Sequence, residues 1–500
     1  MFKKILVANR GEIAVRIIKA CQELGIATVA VYSEVDRDAR HRWLADEAIP
    51  VGPASPAESY LCIEKLVEAA LQTGCEAAHP GYGFLSENAQ FVEALQAAGL
   101  TFIGPDPEAI RLMGDKTAAR RHMQAAAVPI IPGFDGPDPA PDYASEAAKI
   151  GYPLLVKAAG GGGGKGMRLV PTPDALPYAI EAARREAQSA FGNANLYLEK
   201  YLEQPRHIEF QILADRHGTV VHLFERECSI QRRYQKIVEE APAPALDGAL
   251  REAMAQAAIR AAASAGYVNA GTVEFLLDKA GHFYFLEMNT RLQVEHPVTE
   301  LVTGLDLVQL QLLVAAGRPL PFSQADVSRR GHAIECRIYA EDPANDFLPS
   351  VGPLLQVAEP SGPGVRVDSG VRSGDAVTVH YDPMLAKLIV HAPDRDAAIR
   401  KMDRALKNYA ILGPQTNIAF LQAVLNHSEF RAGNLSTHFI EDHFSNWARS
   451  KPPPDLAFIV AALQEALSAN EPGLGRQSVD RDEAGNPWRR SDGFRVGGRV

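Results

Sequence analysis

The stretch GTVEFLLDKAGHFYFLEMN, residues 271–289, reads as a β-hairpin: two runs rich in Val, Phe, Leu and Tyr flank the turn formers Asp278 to Gly281. With Leu277 facing His282 across that four-residue turn, Glu274 lies opposite Phe285, and Glu287, two residues on, shares its face. Diagonal cross-strand neighbours on one face are roughly 7 to 8 Å apart at the backbone, close enough for two carboxylates to share a hard cation. Unpaired among Val, Phe and Leu, two such acids would repel each other and resist desolvation. Mg²⁺ removes both difficulties, and it favours one or two carboxylates plus substrate phosphate oxygens, so a metal-nucleotide is the expected occupant. A half-exposed hairpin with one Glu in water is the alternative, because a one-residue change in the turn flips the faces.

Immediately downstream, Glu287, Asn289, Arg291, Gln293 and Glu295 alternate with Met288, Thr290, Leu292 and Val294, so a continuing strand projects five polar side chains from one face. The stretch follows FYFL and precedes the apolar LVTGLDLVQLQLLVAAG, which places it inside the protein. An interior polar row has to be paired, and metal, anion or acid–base work is the usual reason. Arg291 can grip a planar oxyanion with its fork. Glu295, beside a cation, suits a general base.

Upstream stands VKAAGGGGGKGMRLV, residues 156–170, in which Lys157 and Lys165 bracket five glycines. Glycine exposes its N–H groups, takes positive φ without strain and lets backbone approach an anion, so the run reads either as a phosphate cover or as a mobile loop. It is not a P-loop, since Gly166 stands where Ser or Thr is required and Ala159 replaces the first glycine. At the N-terminus, KKILVANRGEIAVRIIKACQELG followed by TVAVYS is strand, helix, strand, hence a right-handed βαβ unit and a parallel sheet to about Asp115. The turn Asn9-Arg10-Gly11 lacks the dinucleotide fingerprint. Beyond the turn-rich segment 132–142 the pattern becomes antiparallel: in RHIEFQIL, His207, Glu209 and Gln211 alternate with Ile208, Phe210 and Ile212. From about Gly331 a third, β-rich region runs to about Asn446, and after SKPPPD come one helix, about 456–467, and a linker-like tail.

With 46% apolar and 22% charged residues, 500 residues form about three globular domains. A formal net charge of −10, with the basic residues dispersed, excludes a nucleic-acid footprint. Five scattered cysteines fit reduced thiols rather than disulfides or zinc. No apolar run approaches the ~18 to 20 residues that span a bilayer, and the opening hydrophobic stretch is too short for a signal peptide, so the expected location is cytoplasmic.

Taken together, GGGGGKGM, EKYL, CSIQRRYQK, VEFL, EMNTRLQVEHP, HPGYGFLSEN and GHAIECRIYAEDP closely resemble the biotin carboxylase component of biotin-dependent carboxylases, members of the ATP-grasp superfamily, over about residues 1–446. The resemblance implies an α/β and α+β multidomain fold: a Rossmann-like domain (1–115), an ATP-grasp domain (116–330) with a glycine-rich lid (about 132–203), a β-rich C-terminal domain (331–446), and a helix and linker (447–500). The implied reaction has two stages. Bicarbonate attacks the ATP γ-phosphate to give carboxyphosphate, and the carboxyl group then passes to biotin on a carrier domain.

By that resemblance, Lys116 and Lys157 contact nucleotide phosphates, the lid residues Gly163, Gly164, Lys165 and Gly166 fold over them, and Glu199, Lys200, Tyr201 and Leu202 form the adenine hinge. His207, Gln231 and Tyr234 are further nucleotide contacts. The implied Mg²⁺ (or Mn²⁺) ligands are Glu274 and Glu287, with Asn289 adjoining; Lys236, Arg291, Gln293 and Val294 line the bicarbonate pocket. Glu295 is the implied base, Arg337 steadies the biotin enolate, and Tyr82 lies near biotin. Tyr234 departs from the family, which usually has His there, and this bears on nucleotide affinity more than on reaction type. Implied partners are a biotin carrier domain, a carboxyltransferase subunit and a second copy in a homodimer or larger assembly.

None of the eight methionines flanks a lysine as in a biotin-acceptor site, and NPWRRSDGFRVGG resembles the segment that continues into further domains in acyl-CoA carboxylase α-subunits. The expectation is the N-terminal part of such a subunit, with a stand-alone biotin carboxylase subunit as the alternative. Two rivals stand beside it. Another ATP-grasp ligase, joining a carboxylate to an amine through an acylphosphate, would share the lid and the glutamates but not RLQVEHP or ECRIYAEDP. A nucleotide-binding regulatory subunit without turnover would bind ATP and release no phosphate.

Overall fold

The computed structural model describes residues 1–134, 142–158, 167–191, 194–233, 235–445, 447, 459 and 463. Met1–Trp447 is one compact unit; of the second, Ala448–Val500, only Ile459 and Leu463 are described, both helical. The rest of the helix and linker expected there lies outside the described residues, as do Gly163, Gly164, Lys165, Gly166 and Tyr234.

The N-terminal βαβ unit forms as read. Lys4–Val7 and Ala27–Ser33 pair in parallel across the helix Gly11–Glu23, which buries Ile13, Ile17, Ala20 and Cys21. Glu47–Gly52, Ala77–His79 and Thr101–Phe102 complete a five-stranded parallel sheet with Lys4–Val7 at its centre. Ile5, Leu6 and Val7 are fully buried, because both faces of a parallel sheet are covered.

The functional face belongs to a second, antiparallel sheet of eight strands. In spatial order these are Phe283–Asn289, Asn269–Leu277, Arg206–Ala214, Val220–Arg232, Gln235–Ala241, His332–Tyr339, Met384–Ala392 and Val365–Ser369. The ladder between Gln235–Ala241 and His332–Tyr339 makes residues on both sides of position 330 parts of one hydrogen-bonded surface. Alternation works as read: Ile208, Phe210 and Ile212 join Val273, Phe275 and the alanines of the helix Gly248–Ser264 in one core. The opposite face is buried as well, under the helix His296–Thr303, whose Val298 and Val302 pack on Ala333 and Ile389. His207, Glu209 and Gln211 are therefore interior and must find partners.

A small four-stranded sheet stands apart from that surface, in the order Gly133–Phe134, Leu196–Lys200, Leu154–Ala158, Arg168–Val170, with its own apolar cluster from Leu154, Val156, Leu176 and Ala183. The glycine run joins two of its paired strands, Leu154–Ala158 and Arg168–Val170.

Two expectations are corrected. In the hairpin, Leu277 pairs with Phe283 rather than His282, a shift that on its own would place Leu286 opposite Glu274 and turn Glu287 to the wrong face. A bulge cancels it. Phe275 pairs with Phe285 and Glu274 with Glu287, leaving Leu286 as the extra residue, so the two glutamates are directly opposed rather than diagonal. The strand also ends at Asn289 instead of continuing to Glu295. Thr290 turns off the ladder to bond Glu87, its N–H 2.9 Å from Oε1, and Pro297 opens the helix His296–Thr303.

Candidate functional site

Polar side chains on the buried face form one connected set. The Lys236 ammonium lies at its centre, donating to Glu274 Oε1 and Glu295 Oε1, each at 2.7 Å, and to Glu209. Glu274 also meets His207 Nε2 at 3.0 Å and accepts from Asn289 Nδ2 at 2.8 Å, while Gln231 Nε2 meets His207 Nδ1 at 2.9 Å. On the other flank Glu295 Oε2 accepts from Arg337 Nη2 at 2.8 Å, and Arg337 Nε donates to Glu239 at 2.6 Å. Glu209 is directly opposite Arg226 in the ladder and accepts from it; Arg226, fully buried, also donates to Gln211, Thr272 and Thr299 at 2.8–3.0 Å.

These neighbours separate the acids electrostatically. Burial pushes the Glu274 carboxyl up, but Lys236 and His207 outweigh it and hold the group well below the usual carboxylate range. Glu295 is treated likewise: burial raises it, and Lys236, Arg337 and Arg226 drive it well down, so it is ionised at neutral pH. Glu287 moves the other way, raised by burial and by the Glu274 charge facing it. Burial lifts Glu239 to about 7 despite Arg337. Lys236 and Arg337 resist the opposing pull of burial because several carboxylates surround each, and both stay charged.

Two directly opposed carboxylates, one of them raised by the other's charge, form a hard-oxygen donor set that a divalent cation would relieve; Asn289 stands beside them with its amide nitrogen on Glu274 and its amide oxygen on Arg291. Glu287, Asn289 and Arg291 line a cleft of about 380 Å³ with Lys116, Lys157 and Glu199, so one carboxylate of the pair shares a space of ligand size with three cationic groups.

The other sequence-derived residues fall as follows. Lys157 pairs with Glu199, which also lies 3.5 Å from Arg120. Lys200 turns away from the cleft to the carbonyls of Gly151 and Tyr152, and the Tyr201 hydroxyl meets His438 Nε2 at 3.3 Å; Leu202 is half-buried. The Arg291 fork is occupied by Glu87 at 2.9 Å, Asn289 Oδ1 at 3.1 Å and Gln293 Oε1 at 3.2 Å. Val294 offers its carbonyl to Lys387, and the Tyr82 hydroxyl is buried without a partner among the described residues. Sequence reading missed Glu87, Arg226, Glu239 and the partnering role of Glu209. Alternation with His207 was a usable signal for Glu209, and Glu87 stands inside HPGYGFLSEN. All five cysteines are free thiols, as expected.

Comparison with known proteins assigns the chain. Residues 1–110 match the biotin carboxylase N-terminal domain, 115–323 the carbamoyl-phosphate synthase L chain ATP-binding domain, and 335–442 the biotin carboxylase C-terminal domain. A biotin carboxylase of Nostoc is 55% identical over 442 residues, 88% of this chain and 99% of that protein. The chain belongs to the biotin carboxylase family. The rat mitochondrial methylcrotonoyl-CoA carboxylase subunit alpha is 51% identical over 442 residues, covering 88% of this chain but 62% of that one, so the chain spans about three-fifths of that relative. The structure of a Campylobacter jejuni biotin carboxylase–β,γ-ATP complex superposes with a TM-score of 0.84 at 46% identity, covering 89% of this chain and 99% of that one. A Hydrogenobacter thermophilus 2-oxoglutarate carboxylase biotin carboxylase domain dimer, in complex with MgADP, ADP and bicarbonate, gives 0.84 at 47%, covering 90% and 100%. The fold is that of an ATP-grasp biotin carboxylase, and the chain is a ligase that carboxylates biotin with ATP and bicarbonate.

Proposed function

We propose that the cleft bounded by Lys116, Lys157 and Glu287 takes the nucleotide phosphates and the set around Glu295 takes bicarbonate, so that carboxyphosphate forms between them and its carboxyl group passes to biotin near Arg337. The observation that carries this reading is the placement of Glu295, an ionised carboxylate held between Lys236 and Arg337. A base needs a proton affinity near the working pH, and an anion seated against Lys236 and Arg291 raises that of Glu295 by drawing on the cations that depress it. Arg291 orients the anion and Gln293 and Val294 close the pocket. Arg337, once its carboxylate partner takes a proton, is released to meet negative charge developing on the biotin ureido oxygen.

Glu274, Glu287 and Asn289 would hold Mg²⁺ or Mn²⁺, which when bound supplies charge neutralisation for the phosphates. His207, Gln231, Glu199, Lys200, Tyr201 and Leu202 contact the nucleotide in this reading, with Lys200 and Tyr201 acting through backbone, since their side chains are engaged elsewhere. Gly163, Gly164, Lys165, Gly166 and Tyr234 keep their assigned roles on sequence alone. Carboxyphosphate hydrolyses in open water, and a glycine-rich cover that excludes solvent protects it.

Around the site we retain the division into 1–115, 116–330, 331–446 and 447–500, a cytoplasmic location, and partnership with a biotin carrier domain, a carboxyltransferase subunit and a second copy of the chain. Relatives support the last two: the Hydrogenobacter domain is a dimer, and the rat protein is a subunit of methylcrotonoyl-CoA carboxylase. Among the described residues no single helix is long and apolar enough to cross a membrane. The test is bicarbonate-dependent ATP cleavage with and without free biotin. Stimulation by biotin is expected; cleavage indifferent to biotin would favour an amine-joining ATP-grasp ligase.

A further inference from the structure

The strand Met384–Ala392 places one lysine, Lys387, directly opposite Arg337 on the buried polar face. Its side chain is fully buried. Nζ donates to the Val294 carbonyl at 2.9 Å, lies 3.2 Å from Glu12 Oε2 and 3.8 Å from Asp368 Oδ2, and stands 5.7 Å from the centre of the Tyr82 ring. One ammonium thus joins four segments far apart in sequence: the loop before the helix His296–Thr303, the first turn of the helix Gly11–Glu23, the strand Val365–Ser369 and the loop holding Tyr82. The start of the N-terminal helix also packs tightly against the turn after Val365–Ser369, where a Cβ on Gly370 would lie 2.5 Å from the Glu12 backbone nitrogen.

A buried lysine that only neutralised Glu12 would add little net stability and would need no carbonyl partner. The Val294 carbonyl is the informative contact, because it belongs to the peptide that joins Val294 to Glu295. The plane of that peptide sets the backbone from which the Glu295 side chain departs toward Lys236 and Arg337. We propose that Lys387 is a positioning residue for the carbon-anion pocket: by gripping the Val294 carbonyl from the Glu12 side it fixes the Val294–Glu295 peptide and so aims Glu295. This rests on the reading of Arg291, Gln293, Val294 and Glu295 as that pocket.

The experiment is steady-state ATP cleavage by the full chain, with free biotin, titrating bicarbonate and MgATP separately in Lys387→Met, Glu12→Gln and Arg291→Met, alongside thermal unfolding. Lys387→Met is expected to raise the bicarbonate KM tenfold or more while the MgATP KM stays within twofold, and Glu12→Gln to raise the bicarbonate KM about threefold. An unchanged bicarbonate KM in folded Lys387→Met, or an equal rise in both KM values, overturns the proposal. Should Lys387→Met fail to fold, an unchanged bicarbonate KM in Glu12→Gln overturns it. Arg291→Met separates the two layers: if it leaves the bicarbonate KM unchanged, the pocket assignment itself has failed, and the Lys387 proposal with it.

Discussion

Replacing Glu295 by Gln is the sharpest test of the chemistry, because it keeps volume and removes charge and basicity together. The carboxylate gives one oxygen to Lys236 Nζ at 2.7 Å and the other to Arg337 Nη2 at 2.8 Å. An amide retains one acceptor and turns an NH₂ group toward the second cation, so one charge-assisted hydrogen bond, worth about 1.5 to 3 kcal/mol, is lost. Lys236 keeps Glu209 and Glu274, and Arg337 keeps Glu239, which limits the loss of folding stability to about 2 kcal/mol. Turnover should suffer more. Removing a general base costs about 10² to 10⁴ in rate, or about 3 to 5 kcal/mol in the barrier. MgATP affinity, measured by calorimetry, should stay within about twofold of the parent, since Glu295 is not among the residues lining the phosphate cleft. The assay is bicarbonate-dependent ATP cleavage in the presence of free biotin. Turnover within tenfold of the parent would remove Glu295 from the role of base.

Glu274→Gln should shift the magnesium dependence of ATP cleavage about tenfold or more to higher concentration, at about 1.4 kcal/mol per factor of ten, and a parallel magnesium titration of the parent checks it. An unshifted curve would show that the opposed pair does not hold the metal. Burial lifts the Glu227 carboxyl to about 7 in the fold against the opposing effects of Arg206 and Ser229. Its folded value therefore exceeds the unfolded one near 4.5, so its stabilising contribution is complete below that pH and is lost as pH rises through 7. Glu227→Gln, which cannot ionise, should gain on the parent by up to about 3 kcal/mol between pH 5 and 8 in chemical unfolding, and a pH-independent difference would contradict the sign.

The sequence revealed local structure and hid what depends on distant partners. The parallel N-terminal sheet, the alternation of His207, Glu209 and Gln211 with Ile208, Phe210 and Ile212, and the acidic hairpin were all legible, because burial imposes its period on residues close in the chain. The exact pairing of Glu274 with Glu287 was not, since it depends on a bulge at Leu286 that no Gly or Pro announces. The polar row to Glu295 was found with the wrong backbone: Glu87, about two hundred residues upstream, captures Thr290 and Arg291 and bends the chain off the sheet. Arg226 and Glu239 look like ordinary charged strand residues until the strands beside them are known, and only tertiary burial forces them into the site.

The ladder from Val238–Cys336 to Ala241–Ala333 bears on how this enzyme can be recombined. A chimera joined near position 330 looks like an exchange of whole modules between relatives. It would in fact splice through the middle of a hydrogen-bonded surface, with Lys236 inherited from one parent and Arg337 from the other. Crossovers that respect this protein should keep both strands from a single parent, and the natural seams for grafting lie at the margins of the small four-stranded sheet.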